Sequence, residues 1–146
     1  MPNILLVGNG AREHVMAETL IRSRHQPRIF SFMKDNNPGI ASLSAAVLLG
    51  LYSDLPAVVA FAQKNRIDFA VIGPEDPLSQ GVVDALAQIG IPAVGPNKSL
   101  ARLETSKAFT RNLVKKYNIP GNPRFEVFTR PDGIGAFLDE LDGVVL

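Results

Sequence analysis

Apolar positions change their period again and again along the chain. Ile4-Leu5-Leu6-Val7 is an unbroken apolar run with no polar partner face, the pattern of a short strand buried on both sides. Gly8 and Gly10 stop it, and the apolar spacing then widens to that of a helix at Val15, Met16, Leu20 and Ile21, closed by residues 23–27. The alternation continues with a second strand over 28–33, an irregular polar loop over 34–39 and a third strand over 45–49. Asp54 caps a helix through Pro56, Val58, Val59 and Phe61. A fourth strand over 67–72 halts at Gly73-Pro74, a rigid acidic loop follows through Leu78, and a helix covers 81–89. A short fifth strand over 91–94 ends at Gly95-Pro96. Strands alternating with helices predict an α/β fold: a mostly parallel five-stranded, Rossmann-like sheet with helices on both faces.

The pattern shifts near residue 98. A helical turn is expected over 99–103 and a helix over 106–117 with Phe109, Leu113 and Val114 inward. Residues 118–123 read as a linker-like turn, 124–128 as a strand, 131–141 as a helix and Gly143-Val144-Val145-Leu146 as a strand. An apolar strand in that place needs partners to bury it. The last third is therefore expected to open a second domain whose remainder is missing, with domains at 1–101 and 102–146.

Composition narrows the classes. With 46% hydrophobic and 20% charged residues among 146, the chain has ample material for a core. A net charge of +1 gives no reason to expect a nucleic-acid or membrane partner. There is no cysteine, hence no disulfide or thiolate chemistry. No signal-peptide pattern and no apolar run near the roughly 18 residues of a membrane span is visible, so a soluble cytoplasmic protein is the default. His14 and His25 are the sole histidines, no carboxylate pair stands at ligand spacing, and no metal site is expected.

Right-handed crossovers put the ends of the first and fourth strands on one edge of the sheet, where ligands of such sheets sit. The Gly8 loop and the Glu75 loop should thus face one pocket. In the first, Gly8 permits the turn, Gly10 lets a ligand approach the backbone, and Arg12 adds a charge-assisted contact at a helix N-terminus suited to phosphate. The dinucleotide fingerprint wants a third glycine where Glu13 stands. A helix dipole also favours an acid there, so Glu13 has an ordinary alternative as an exposed first-turn carboxylate. Glu75 and Asp76 are presented by a backbone that two prolines stiffen. A competing assignment is an NAD-binding domain, with Gly8-x-Gly10 and Asp35 as its acidic residue.

Taken together, Val7-Gly8-Asn9-Gly10-Ala11-Arg12-Glu13-His14, Ile72-Gly73-Pro74-Glu75-Asp76-Pro77-Leu78, Val94-Gly95-Pro96 and Leu103-Glu104-Thr105-Ser106-Lys107-Ala108-Phe109 resemble the glycinamide ribonucleotide synthetase (phosphoribosylamine–glycine ligase) family of the ATP-grasp superfamily. The usual loop reads Gly-Gly-Arg-Glu-His, and Ala11 replaces its second glycine. The resemblance implies a pre-ATP-grasp domain followed by the start of an ATP-grasp domain. It implies a purine-biosynthesis ligase that activates glycine with ATP as an acyl phosphate for attack by 5-phosphoribosylamine, using magnesium. Gly8, Asn9, Gly10 and Arg12 would then bind the 5′-phosphate, Glu13 would shape the loop, and Glu75, with Asp76 beside it, would receive ribose hydroxyls or the amine. Lys107 would reach ATP phosphates or stand as an ordinary helix-surface lysine, and His14, read on its own, either packs into the first helix or contacts the ligand. Catalytic residues and metal ligands are expected outside this chain, which would be inactive alone. A non-catalytic interaction module derived from such a ligase stays open as a third alternative.

Overall fold

The structure is a computed structural model that describes residues 1–141, and the strand expected at Gly143 to Leu146 lies outside them. By contacts the chain divides into two compact units, Met1–Thr105 and the residues from Ser106 on.

In the first unit the strands are β1 (Asn3–Val7), β2 (Arg28–Met33), β3 (Ser44–Leu49), β4 (Phe69–Ile72) and β5 (Ala93–Val94). All pair in parallel, in the order β3-β2-β1-β4-β5. Successive connections run outward from β1 to β2 and β3, then jump back to β4 on its other side. The switch point therefore lies between β1 and β4. Side chains of β1 alternate between two cores, as the two-residue period of a strand requires. Leu5 and Val7 pack with Phe30, Phe32, Phe61 and Leu86, while Leu6 packs with Ala17, Ile29, Met33 and Ile40. This double burial is why the sequence shows an apolar run instead of an alternation. Truncating fully buried Leu5 to alanine should cost about 2–5 kcal/mol.

Helices α1 (Ala11–Ile21) and α2 (Pro38–Leu43) supply the Leu6 side, and α3 (Leu55–Lys64) and α5 (Val82–Gln88) the Leu5 side. The unit is completed by α4 (Glu75–Gln80) and α6 (Lys98–Thr105). Several boundaries differ from expectation. Val15 and Ile21 are exposed, and α1 buries Glu13 and Ala17 instead. The polar loop over 34–39 already begins α2, because Asn37 Oδ1 accepts from the N–H groups of Gly39 and Ile40 at 3.0 and 3.2 Å and Pro38 sits at the first helical position. What reads as an acidic loop after Gly73-Pro74 is α4, with Glu75 as its first residue. Asp54 caps α3 as expected, its Oδ1 accepting from Ala57 N at 3.0 Å. Ser31, fully buried on β2, is satisfied by Ser44 Oγ at 2.7 Å, and Ser44 in turn donates to Ile40 O at 2.7 Å.

In the second unit α7 (Lys107–Lys116) starts from Ser106, whose Oγ accepts from Phe109 N, and α8 (Ile134–Glu140) follows Gly133. Phe109, Leu113 and Val114 are half-buried, so the inward stripe of α7 is partial. The strand expected over 124–128 does not form: these residues pair with no other strand among the described residues. Phe128 instead packs on Phe137 of α8, with ring centroids 5.8 Å apart.

Candidate functional site

The ends of β1, β2 and β4 are level, since Val7 is in register with both Phe32 and Ile72. Parallel pairing runs one residue past each strand: Gly8 N donates to Phe32 O at 3.1 Å and Gly73 N to Val7 O at 3.0 Å. The loops after β1 and β4 thus leave the sheet side by side. Gly8 has φ +133°, a conformation that excludes other residues without strain, so the turn does require glycine. Its N–H is consumed by the sheet, however, and does not point to a ligand.

Glu13 organises the space between these loops. It is 2% exposed, and its Oε2 accepts from Gly10 N at 2.7 Å. Exposed first-turn placement, the ordinary alternative, is therefore excluded. Three glycines make room for its side chain. A Cβ at Gly8 would stand 2.5 Å from Glu13 Cγ, one at Gly10 would stand 2.8 Å from Oε2, and one at Gly73 would overlap the carboxyl group outright. Gly10 has an ordinary φ of −86° and also lines the cavity, so its lack of a side chain makes room for the Glu13 carboxylate beside any approaching ligand. The same observation disposes of the dinucleotide alternative. The third glycine of that fingerprint lets helix and strand close on each other, whereas here a carboxylate fills the gap. Asp35 stands in the exposed bend after β2. Glu13 Oε1 is buried without a hydrogen-bond partner among the described residues.

Asn9 is held from two sides. Asn37 Nδ2 donates to its carbonyl at 3.0 Å, and the Tyr52 hydroxyl donates to its Oδ1 at 2.6 Å. Tyr52 also accepts from Lys34 N at 3.4 Å and packs its ring 6.3 Å from that of Phe32. Burial pushes the Tyr52 phenol above its ordinary pKa, and the carboxylates of Glu13, Asp76 and Asp35 add to the rise. Neither Tyr52 nor Asn37 stands out in the sequence. The available signal was positional: both follow strands whose carboxyl ends lie on the ligand edge.

A cavity of about 390 Å³ opens over these groups, lined by Asn9, Gly10, Ala11, Arg12, Glu13, Tyr52, Pro74 and Glu75. Both predicted loops contribute to it. Arg12 Nη2 and Glu75 Oε2 face each other at 3.5 Å, with side chains 65% and 53% exposed. So wet a pair contributes about 0–1 kcal/mol and is easily exchanged for a ligand contact. Asp76 is exposed on α4, its Oδ1 accepting from Gln80 Nε2 at 3.4 Å, and it does not line the cavity. His14 packs on Gly39 and lies 3.8 Å from Glu18 Oε1, away from the cavity. Lys107 belongs to the second unit, where it lines a separate cavity with Arg111, Arg124 and Phe125. Among the described residues no three histidine or carboxylate side chains gather as a metal site, and no helix is long and apolar enough to cross a membrane.

Residues 2–104 match the family model described as phosphoribosylglycinamide synthetase, N domain. The phosphoribosylamine–glycine ligase of Methanosarcina barkeri is 45% identical over 143 residues, which are 98% of this chain and 33% of that protein. That of Methanocaldococcus jannaschii is 48% identical over 139 residues, 94% of this chain and 31% of the relative. The chain thus spans about a third of the length of the curated relatives it matches. Among solved structures, phosphoribosylglycinamide synthetase from Anaerococcus prevotii superposes with a TM-score of 0.66 at 15% identity, covering 95% of this chain and 34% of that one. At that identity the likeness is one of fold.

Proposed function

The chain belongs to the phosphoribosylglycinamide synthetase N-domain family, and from that premise we propose that it holds 5-phosphoribosylamine for a ligase joining that amine to glycine with hydrolysis of ATP to ADP and phosphate. The observation that carries this is the single cavity shared by the loops after β1 and β4. One wall offers donors: the Asn9 amide, the first-turn N–H groups of α1 and the Arg12 guanidinium. These suit a phosphate, whose oxygens only accept. The other wall offers the Glu75 carboxylate, with two oxygens for ribose hydroxyls or the amine.

The chain's part in the chemistry is positional. Anchoring the phosphate fixes the distance to the ribose carbon that bears the amine, and Glu75 fixes its direction, so that the nucleophile is delivered in one orientation. Gly8, Gly10 and Glu13 contribute by shaping the loop, the two glycine N–H groups being bonded to Phe32 O and Glu13 Oε2. Bound ATP supplies the phosphoryl group that activates the glycine carboxylate, and Lys107 with Arg111 is the basic pair of this chain we assign toward its phosphates. We assign Mg²⁺ no residue among those described. We assign to this chain the binding of the phosphoribosyl compound, without catalysis alone. All reactants are small and water-soluble, and we place the protein in the cytoplasm with no nucleic-acid or membrane partner.

Titrating the ¹⁵N-labelled chain with ribose 5-phosphate tests this. Amide shifts should change at Asn9 to Glu13 and at Glu75, and glycine, ATP and the amine together should release no phosphate. Shifts confined to other surfaces, or none, would refute the substrate assignment. Phosphate release dependent on both glycine and the amine would refute the inactivity of the chain.

A further inference from the structure

We propose that Tyr52 is a positioning residue that sets ligand specificity: its hydroxyl turns the Asn9 amide so that the –NH₂ end, and no acceptor, is left for the cavity. This deepens the assignment of a phosphoribosyl ligand and rests on it. Asn9 carries two acceptor oxygens, and each already takes a donor from the protein. Asn37 Nδ2 takes the backbone carbonyl at 3.0 Å and the Tyr52 hydroxyl takes Oδ1 at 2.6 Å. The amide Nδ2 has no partner among the described residues. What Asn9 has left to offer is donation, and a phosphate group has only acceptors to meet it.

The orientation of the amide follows from the count of protons on Tyr52. Its hydroxyl has a single hydrogen and already accepts from Lys34 N at 3.4 Å. If Asn9 were turned over, its N–H would also point at the hydroxyl oxygen and the phenol proton would be orphaned on a residue 5% exposed. The ring cannot swing away, being packed in the core between β2 and α3 beside Phe32. The phenol stays protonated at neutral pH, since burial raises its pKa from 10.0. The Asn9 amide also bears weight that glycine N–H groups bear in other phosphate loops. Gly8 N is spent on Phe32 O and Gly10 N on Glu13 Oε2. With both withdrawn, discrimination between a phosphate and a neutral group falls to Asn9, Arg12 and the first turn of α1.

The test uses the 146-residue chain with ribose 5-phosphate and D-ribose as probes. Tyr52→Phe retains the ring and removes the hydroxyl. Freed of its partner, the Asn9 amide samples both orientations, and affinity for ribose 5-phosphate should drop about tenfold while that for D-ribose stays unchanged. The side-chain ¹⁵NH₂ signals of Asn9 should shift on adding ribose 5-phosphate to the unmutated chain and shift far less in Tyr52→Phe, a signature that general loosening does not produce. Asn9→Asp keeps an acceptor for Tyr52 but replaces the free donor by an acceptor, and should lose at least as much affinity. Ribose 5-phosphate binding of unmutated strength in Asn9→Asp, or in a folded Tyr52→Phe with the Asn9 signals responding as before, would overturn the proposal. Failure of the unmutated chain to bind ribose 5-phosphate would instead overturn the phosphoribosyl assignment, and this proposal with it.

Discussion

Glu13 and Gly73 should be strongly coupled in stability, and the coupling can be worked out beforehand. Gly73→Ala places a Cβ whose three nearest atoms all belong to the Glu13 carboxyl end. Gly73 has no positive φ, so backbone strain does not enter, and the whole penalty is overpacking, about 1–3 kcal/mol. Glu13→Ala removes the acceptor of the Gly10 N–H and an acid from the first turn of α1, at about 1–2 kcal/mol. The burial of an unpaired Oε1 keeps that loss from being larger. Independent sites would give the double variant the sum. Here Glu13→Ala vacates the space that the Gly73 Cβ needs, so the double variant should be no less stable than Glu13→Ala alone. The coupling is then about 1–3 kcal/mol, visible in a urea-denaturation cycle. Gly8→Ala is the control. At φ +133°, and with Pro74 Cδ 2.8 Å from its Cβ, it should remain costly whether or not Glu13 is present. Additivity of Glu13→Ala and Gly73→Ala within about 0.5 kcal/mol would refute the claim that this glycine exists to house Glu13.

Arg12→Ala should weaken ribose 5-phosphate binding about tenfold or more, a charge-assisted bond being worth about 1.5–3 kcal/mol, while thermal stability barely moves because the pair with Glu75 is exposed. Unchanged affinity by calorimetry would remove Arg12 from the site. Alkaline stability should report Tyr52. Its folded pKa lies above the ordinary 10.0, so the folded state retains a proton that the unfolded chain loses first. The contribution is complete below pH 10 and disappears as pH rises through the folded value. Denaturation midpoints of the unmutated chain should therefore fall faster above pH 10 than those of Tyr52→Phe, and parallel curves would contradict the raised pKa.

The sheet was legible because parallel strands buried on both faces write short apolar runs, and glycine and proline bound them. Arg28 to Met33 and Asn3 to Val7 illustrate this, and the two loops share one edge because β1 and β4 are parallel neighbours. Helix boundaries were less legible for a local reason. In Asn37-Pro38-Gly39 and Pro74-Glu75-Asp76-Pro77 the residues that start a helix are also the residues that make turns, and tertiary packing of Ile40 and Leu78 decided between them. Within the site, Arg12 and Glu75 were readable from motif and topology. Tyr52 was not, since its partner Asn9 lies 43 residues away and no local pattern encodes that hydrogen bond. The burial of Glu13 was no more legible, for the same reason. An acid in the first turn is ordinarily wet, and its burial depends on glycines at 8, 10 and 73 acting together.

The loop after β1 thus departs from a dinucleotide loop in where its polar capacity goes, more than in how many glycines it has. A glycine-rich phosphate loop works by leaving N–H groups free. Here one glycine N–H extends the sheet and the other is closed on Glu13, so the loop is stiff but poor in free backbone donors. The stiffness has a use. It holds Asn9 and the first turn of α1 in fixed relation to Glu75 across the cavity, the set spacing that the proposed phosphoribosyl ligand requires. A longer ligand with two linked phosphates needs more donors along the loop than remain. A single phosphate on a small sugar needs few, provided they are well aimed. The Asn9 amide held by Tyr52, and Arg12 released from a weak exposed pair, are aimed in that way.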